Sequence, residues 1–382
     1  MKTKKFIDFL SDKKTVTDLT DAIIEPFEKV LSNLSEAYIF GSAKMGDRVY
    51  KYLVSKNIKV LGFVDNDLKR CGLRHDGVNI FSLSELSQSK NSCIIIASSY
   101  LCDIGLQLKE NGFLNVIPYY LFGLYDECGF KPELSFNNPH RDIILNKSKY
   151  ISFYNDLADE RSREVFDKIM MFRLTYDALH LTGAYDSRDM EYFDSEIVKF
   201  ENGENVFADC GGYDGDTVQK FINVTRGEYK KIYYFEPLHE LYEEAQKNLK
   251  NYRDIKFVEC GVYSENKILR FEATGDLLAG AVSDDGNIEI KVVALDDYVK
   301  EPITFIKLDV EGSEEEAIVG AKIHIKTTSP ILTIASYHRA HDLWRLPEII
   351  KSINPNYKFF LRHYSQSIID TIIYAIPTDI GK

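Results

Sequence analysis

The sequence predicts an α/β protein made of two parallel-sheet units with a helical stretch between them, and three observations carry that reading. Short apolar, β-branched runs alternate with helix-periodic segments in residues 37–122 and again from Asn205 onward. Residues 123–203 lose the strand signal and keep the helical one, and the last two runs, "YKFFLRHY" and "TIIYAIP", follow each other across a loop alone. Strands alternating with helices imply a parallel sheet covered on both faces. Two strands joined only by a loop imply an antiparallel finish.

Taken in order, residues 1–34 space their apolar positions as one or two amphipathic helices, as in "FIDFL" and "IIEPFEKVL". The runs "AYIFGS" (37–42), "IKVLGFVD" (58–65) and "SCIIIASS" (92–99) then read as strands, with "GDRVYKYLVSKN" and "IGLQLKENGF" as helices, so residues 1–122 form a small Rossmann-like domain. "DERSREVFDKIMMFRLTYDALHL" has long helical periodicity, and residues 123–203 are expected as a helical bridge whose aromatic residues face a core. The second alternation occupies residues 204–382: "NVFAD", "KIYYFEP", "IKFVEC", a strand-rich insert, "ITFIKLD", "ILTIAS" and the two closing strands.

Composition narrows the partners. The 382 residues exceed one average domain, and 45% hydrophobic with 28% charged residues is the balance of a folded, soluble chain. A net charge of −12 disfavours nucleic acid. The six cysteines form no C-x-x-C pair and read as reduced thiols. The charged start offers no signal peptide, and no apolar run approaches the roughly 18 residues of a transmembrane segment, so a cytoplasmic location is expected.

The chemistry concentrates at strand ends of the C-terminal part. "VFADCGGYDGDTVQKF" delivers Asp209 to the end of a strand and follows it with Gly211, Gly212 and Gly215, a turn that lets a ligand approach the backbone at a helix N-terminus. It is neither a clean G-x-G-x-x-G nor a P-loop, and Asp209, Asp214 and Asp216 would repel phosphates while tolerating a cationic ligand. Glu236 closes the next strand in "YYFEP", where an acid can accept both hydroxyls of an adenosine ribose. "FIKLDVEGSEEEAIVGA" places Asp309 and Glu311 at the end of a central strand, with Gly312 turning the chain into a helix.

The segments "VFADCGGYDGDT", "YYFEP", "IKLDVEGSEEEAIVGA", "YHRAHDLWRLPEII" and "RHYS…TIIYAIP", in this order, resemble the FkbM family of S-adenosylmethionine-dependent methyltransferases over residues 204–378. The resemblance implies a seven-stranded methyltransferase sheet with an antiparallel last strand, S-adenosylmethionine as cofactor, and methylation of a hydroxyl on a small molecule such as a sugar or glycoconjugate precursor. By position it implies that Asp209, Gly211, Gly212 and Gly215 line the methionine and ribose side, that Glu236 meets the ribose hydroxyls, and that Asp309 and Glu311 face the transfer cleft. Asp214 and Asp216 serve either the helix N-terminus or the cofactor.

An alcohol acceptor needs a base, and the candidates are Asp309, Glu311 and His338, the histidine having the best-matched pKa. The alternative for His338 is a loop-fixing role. His338, His341 and Asp342 could be read as metal ligands, but no metal is expected. In the N-terminal domain, "IFGSAKMGDRVYKYL" and "GFVDND" form a degraded nucleotide-binding pattern around Gly41, Gly46, Asp65 and Asp67; a scaffold or oligomer contact is favoured over a nucleotide-sugar site. An NAD-dependent oxidoreductase and a non-catalytic nucleotide-sugar-binding module are the alternative functions.

Overall fold

Three apolar runs of the N-terminal part become the middle of a six-stranded sheet. In the computed structural model, which describes residues 21, 25, 27–126, 129–130, 139–200, 203–273, 280–283 and 285–378, the strands are β1 (Glu36–Phe40), β2 (Lys59–Val64), β3 (Arg74–His75), β4 (Val78–Phe81), β5 (Ile94–Ile96) and β6 (Val116–Pro118). Their order is β3-β4-β2-β1-β5-β6, with every pairing parallel except β3 on β4. β3, β4 and β6 span two to four residues, too short for a period-2 pattern to mark them in the sequence. The helices Lys44–Ser55 and Leu101–Glu110 each bury one apolar face, including Val49 with Leu53, and Ile104 with Leu108. The helices expected over residues 1–34 lie largely outside the described residues, as does Cys128; residues 27–32 are helical.

The turn after β1 is occupied by its own side chains. Asp65, just past β2, accepts hydrogen bonds from Ser42 Oγ (2.5 Å) and Ser42 N (3.2 Å), and the guanidinium of Arg70 lies 3.8 Å from the same carboxylate. A carboxylate already committed to the turn in this way suits the scaffold reading.

The chain divides into two units that interleave in sequence: residues 1–147, 167–185 and 365–368, and residues 148–166, 186–364 and 369–382. The stretch 123–203 contributes to both, with helices Pro139–Leu145, Lys147–Asp156 and Glu160–Thr175. The last of these ends earlier than its periodicity predicts, because Tyr176 adopts a left-handed conformation (φ +52°) and a short 3-10 turn follows.

The second unit holds β7 (Val206–Cys210), β8 (Lys231–Phe235), β9 (Ile255–Val258), β10 (Gly261–Val262), β11 (Lys267–Ala273), β12 (Gly280–Val282), β13 (Ile288–Val293), β14 (Phe305–Leu308), β15 (Ile331–Ala335), β16 (Tyr357–His363) and β17 (Thr371–Pro377). Seven of them form one sheet in the order β16-β17-β15-β14-β7-β8-β9, and the strand-rich insert forms a separate sheet, β10-β13-β11-β12. β17 runs antiparallel to both β15 and β16, and the other pairings of the large sheet are parallel. This is the expected seven-stranded sheet with an antiparallel last strand. Strand order reverses between β7 and β14, so a crevice opens beyond their carboxyl ends.

Beneath that crevice the sheet rests on aromatic packing. Phe207 stacks on Phe221 with ring centroids 4.5 Å apart, Phe193 stacks on Phe305 at 5.5 Å, and Phe207, Phe221 and Phe305 are all essentially inaccessible. Phe207→Ala removes the ring that touches all three partners. It is expected to lower unfolding free energy by about 3–5 kcal/mol, measured by urea denaturation of the full chain; a loss below about 1 kcal/mol would contradict this account of the core.

Candidate active site

Lys307 sits in the middle of β14 with 2% of its surface exposed, directly opposite Asp209 in the register of β7 and β14. Its ammonium donates to Gly211 O (2.5 Å) and lies 3.3 Å from Asp209 Oδ1, an ion pair without well-aligned hydrogen-bond geometry. Burial pushes the Asp209 carboxyl up to about 6, with the Lys307 ammonium opposing that rise. Burial works against the charge on Lys307, but Asp209, Asp309 and Asp216 outweigh it and hold the ammonium above its ordinary value. The pair thus pins the turn after β7 to the end of β14.

That turn then sits between Glu236 and Asp309 at one crevice. Gly211 has φ +80°, and a Cβ there would lie 1.8 Å from Asp309 O, so only glycine lets the two strand ends approach. Gly211 N and Gly212 N donate to Phe235 O at 3.0 and 2.9 Å. Glu236, the next residue, accepts from Leu238 N at 2.9 Å and Tyr213 N at 3.1 Å. Burial pushes its carboxyl up to about 7 against the pull of those two hydrogen bonds. Across the crevice Asp309 Oδ2 accepts from Tyr192 OH (2.8 Å) and Oδ1 from Tyr337 OH (3.4 Å).

The backbone after β14 is strained. Glu311 (φ +53°) and Gly312 (φ +89°) are consecutive left-handed residues, and the non-glycine one costs on the order of 1–3 kcal/mol. Glu314 Oε1 closes the turn by accepting from Val310 N (2.9 Å) and Gly312 N (3.4 Å), and it also meets His338 Nδ1 at 2.9 Å. His338 Nε2 lies 3.5 Å from Asp309 Oδ1 and 3.5 Å from Glu311 Oε2. Burial disfavours the charged ring, but Glu314, Asp309 and Glu311 together raise it to about 10; burial also lifts the Glu311 carboxyl to about 8, with His338 opposing and Asp309 adding to the rise.

The crevice has a volume of about 450 Å³, and Gly211, Glu236, Asp309 and Glu311 line it. Asp209, Gly212, Gly215 and His338 stand behind its wall. Asp209 is fully buried under Lys307; a Cβ on Gly212 would strike the Tyr234 ring and one on Gly215 would strike Leu249, so these two glycines serve packing. His338 has both ring nitrogens turned to carboxylates, which is at odds with the expected base role, because a base needs a free lone pair facing the acceptor. Asp214 Oδ1 accepts from Asp216 N (3.2 Å) at the helix start, whereas Asp216 reaches the crevice wall. His341 packs on Trp344, and Asp342 accepts from Arg339 N (2.7 Å), so the two do not join His338 in a ligand set.

Sequence reasoning missed Lys307, Tyr192, Tyr337 and Glu191. For Lys307 a signal existed: a lysine inside the apolar run "FIKLDV" must find a buried counter-charge. Glu191, buried on the crevice wall, is pushed up to about 7 by burial and then by Asp370; nothing in the spacing of "MEYF" marks it or Tyr192.

A seven-stranded sheet with this order, a glycine turn after its first strand and an acid ending its second is the methyltransferase fold. Residues 209–362 match the model of the methyltransferase FkbM domain, and residues 33–115 match the model described as C2185-like, N-terminal. Among solved structures, a methyltransferase FkbM from Methylobacillus flagellatus KT aligns with TM-score 0.73 and 22% identity, covering 96% of this chain and 99% of that one. Aeropyrum pernix fibrillarin with natively bound S-adenosyl-L-methionine aligns over 50% of this chain and 76% of its own (TM-score 0.33, 11% identity). An rRNA methylase from Streptococcus thermophilus aligns over 48% and 90% (TM-score 0.30, 16% identity). A search of curated proteins finds no match. No helix among the described residues is long and apolar enough to cross a membrane, and none of the five described cysteines is in a disulfide.

The ion pair under the turn can be tested alone. Lys307→Met is expected to destabilise the chain by about 3 kcal/mol or more, since it leaves Asp209 buried without its cation. The urea midpoint reports the loss, and Asp209→Asn combined with Lys307→Met should recover part of it.

Proposed function

We propose that this methyltransferase uses S-adenosylmethionine and methylates a hydroxyl of a small polyhydroxylated acceptor, a sugar or nucleotide-sugar precursor of a glycoconjugate. The observation that carries the reading is the placement of Glu236, held by two backbone N–H groups on one side of a crevice whose other side presents Asp309 and Glu311. A carboxylate fixed in this way offers acceptor lone pairs to a ribose diol, and the cradle at Gly211 lets the ligand meet bare backbone. The residues fit the cofactor: Glu236 would hold the ribose, Gly211 the neighbouring backbone contact, and the acid-rich wall the positive charge. When bound, S-adenosylmethionine supplies a methyl group on a sulfonium that is already a good leaving group. A pyrophosphate-bearing dinucleotide suits the site less well, because Asp216, Glu236, Asp309 and Glu311 all line the crevice and repel phosphates.

What the chain must add is alignment and a destination for the hydroxyl proton. Asp309 and Glu311 stand on the crevice wall and are the groups within reach of an acceptor; Tyr192 and Tyr337 orient Asp309 by donating to its two oxygens. His338 acts through these carboxylates, as a positioning residue. The tyrosines and carboxylates of the wall match a neutral sugar, which offers C–H faces to rings and O–H groups to acceptors.

Glu236 must be ionised to accept two hydroxyl hydrogen bonds, and its carboxyl titrates near 7. Cofactor affinity should therefore rise with pH through that value, by about tenfold between pH 6 and pH 8 if only the ionised form binds. Calorimetric titration with S-adenosylmethionine reads this directly. Glu236→Gln should weaken binding and flatten the pH profile; wild-type affinity in that variant would refute the assignment. Glu311→Gln is expected to lower turnover by about 10²–10⁴-fold with cofactor affinity unchanged, and full turnover at saturating substrates would remove Glu311 from the chemistry.

A further inference from the structure

We propose that Asp309, Glu311 and His338 form a divalent-cation site on the acceptor side of the crevice. The ligand atoms of Asp309, Glu314 and His338 all lie within 4.8 Å of one another, and Glu311 Oε2 approaches the same ring nitrogen as Asp309 Oδ1. Both approaches to Nε2 are 3.5 Å, too long for charge-assisted hydrogen bonds, which run about 2.7–2.9 Å. They are close to the spacing of two ligands on one cation: bonds of about 2.1 Å set neighbouring donors roughly 3.0–3.4 Å apart.

The support behind the ring is the kind a metal-bound histidine has. Its other nitrogen meets Glu314 Oε1 at 2.9 Å, and that carboxylate is itself anchored by Val310 N and Gly312 N. A carboxylate on the distal nitrogen fixes the tautomer and aims the free nitrogen at the cation. Glu314 is 99% buried and its Oε2 has no hydrogen-bond partner, so the ring is flanked by a buried carboxylate on Nδ1 and by two more on Nε2. Two carboxylate oxygens facing one imidazole nitrogen at this spacing suit Mn²⁺ or a similar divalent ion. The sequence reading expected no metal; the ligand set proposed here is Asp309, Glu311 and His338, without His341 or Asp342.

The inference takes from the proposed function that the acceptor hydroxyl approaches Asp309 and Glu311. A cation held there would polarise that hydroxyl as a Lewis acid and orient it, with a neighbouring carboxylate receiving its proton.

The test uses the full chain, stripped with chelator and titrated with Mn²⁺, with free Mn²⁺ followed by electron paramagnetic resonance and no acceptor or cofactor present. All samples carry Asp47→Asn, which removes background from the more exposed cluster of Asp47, His75 and Asp76. One Mn²⁺ per chain is expected, bound at least about tenfold more weakly after His338→Ala and after the isosteric Glu311→Gln, which keeps the fold testable if the first variant does not fold. No bound Mn²⁺ in the parent, or binding unchanged by Glu311→Gln, overturns the site. S-adenosylmethionine binding to the same samples separates the two ideas: cofactor bound without Mn²⁺ sinks the cation site alone, and Mn²⁺ bound without cofactor sinks the proposed function alone.

Discussion

A lysine walled into the centre of a β-sheet is the constraint on which the rest of this molecule depends. Lys307 cannot stay charged inside β14 without Asp209 beside it, and its remaining donor capacity is aimed at Gly211 O. That contact ties the turn after β7 to the end of β14, and the close approach is open to glycine alone. The strand ends that border the crevice are therefore held by a buried charge pair beneath them. A pair of this kind is weak evidence for stability and better evidence for specification: it sets which strands lie side by side and at which register.

The second consequence is electrostatic. Glu236, Glu311 and Glu191 line one crevice, and burial raises the carboxyls of all three, which would be expensive to ionise together without a cation. A site that accumulates such groups is poised for positively charged ligands.

Much of this was legible in the sequence. The glycine turn, the acid after "YYF", the "KLDVEG" strand end and the closing hairpin all sit where their local patterns put them, because each is written in contiguous residues with a strong period or a breaker. Three kinds of feature were not legible. β3, β4 and β6 are too short to show a period. Asp209 looked like a ligand contact because it ends a strand, but which face a strand-end side chain takes depends on its neighbour, and here that neighbour is Lys307, 98 residues later. His338 looked like a base because its unperturbed pKa is right, whereas three carboxylates from two other segments decide its state. In each case the deciding contact joins residues far apart in the chain, and such contacts leave no mark in local spacing.

The insert between β9 and β14 adds a different point. Its residues Val262, Phe271, Val282, Ile290 and Val292 supply an apolar wall to the crevice, yet its strands pair only among themselves in the sheet β10-β13-β11-β12. The hydrogen-bond ladder of the large sheet passes from β9 through β8 and β7 to β14 without using them. One contiguous cassette of chain therefore shapes an apolar wall of the pocket, packed on Leu238 and Leu241, and its side chains can change without disturbing the register of the large sheet.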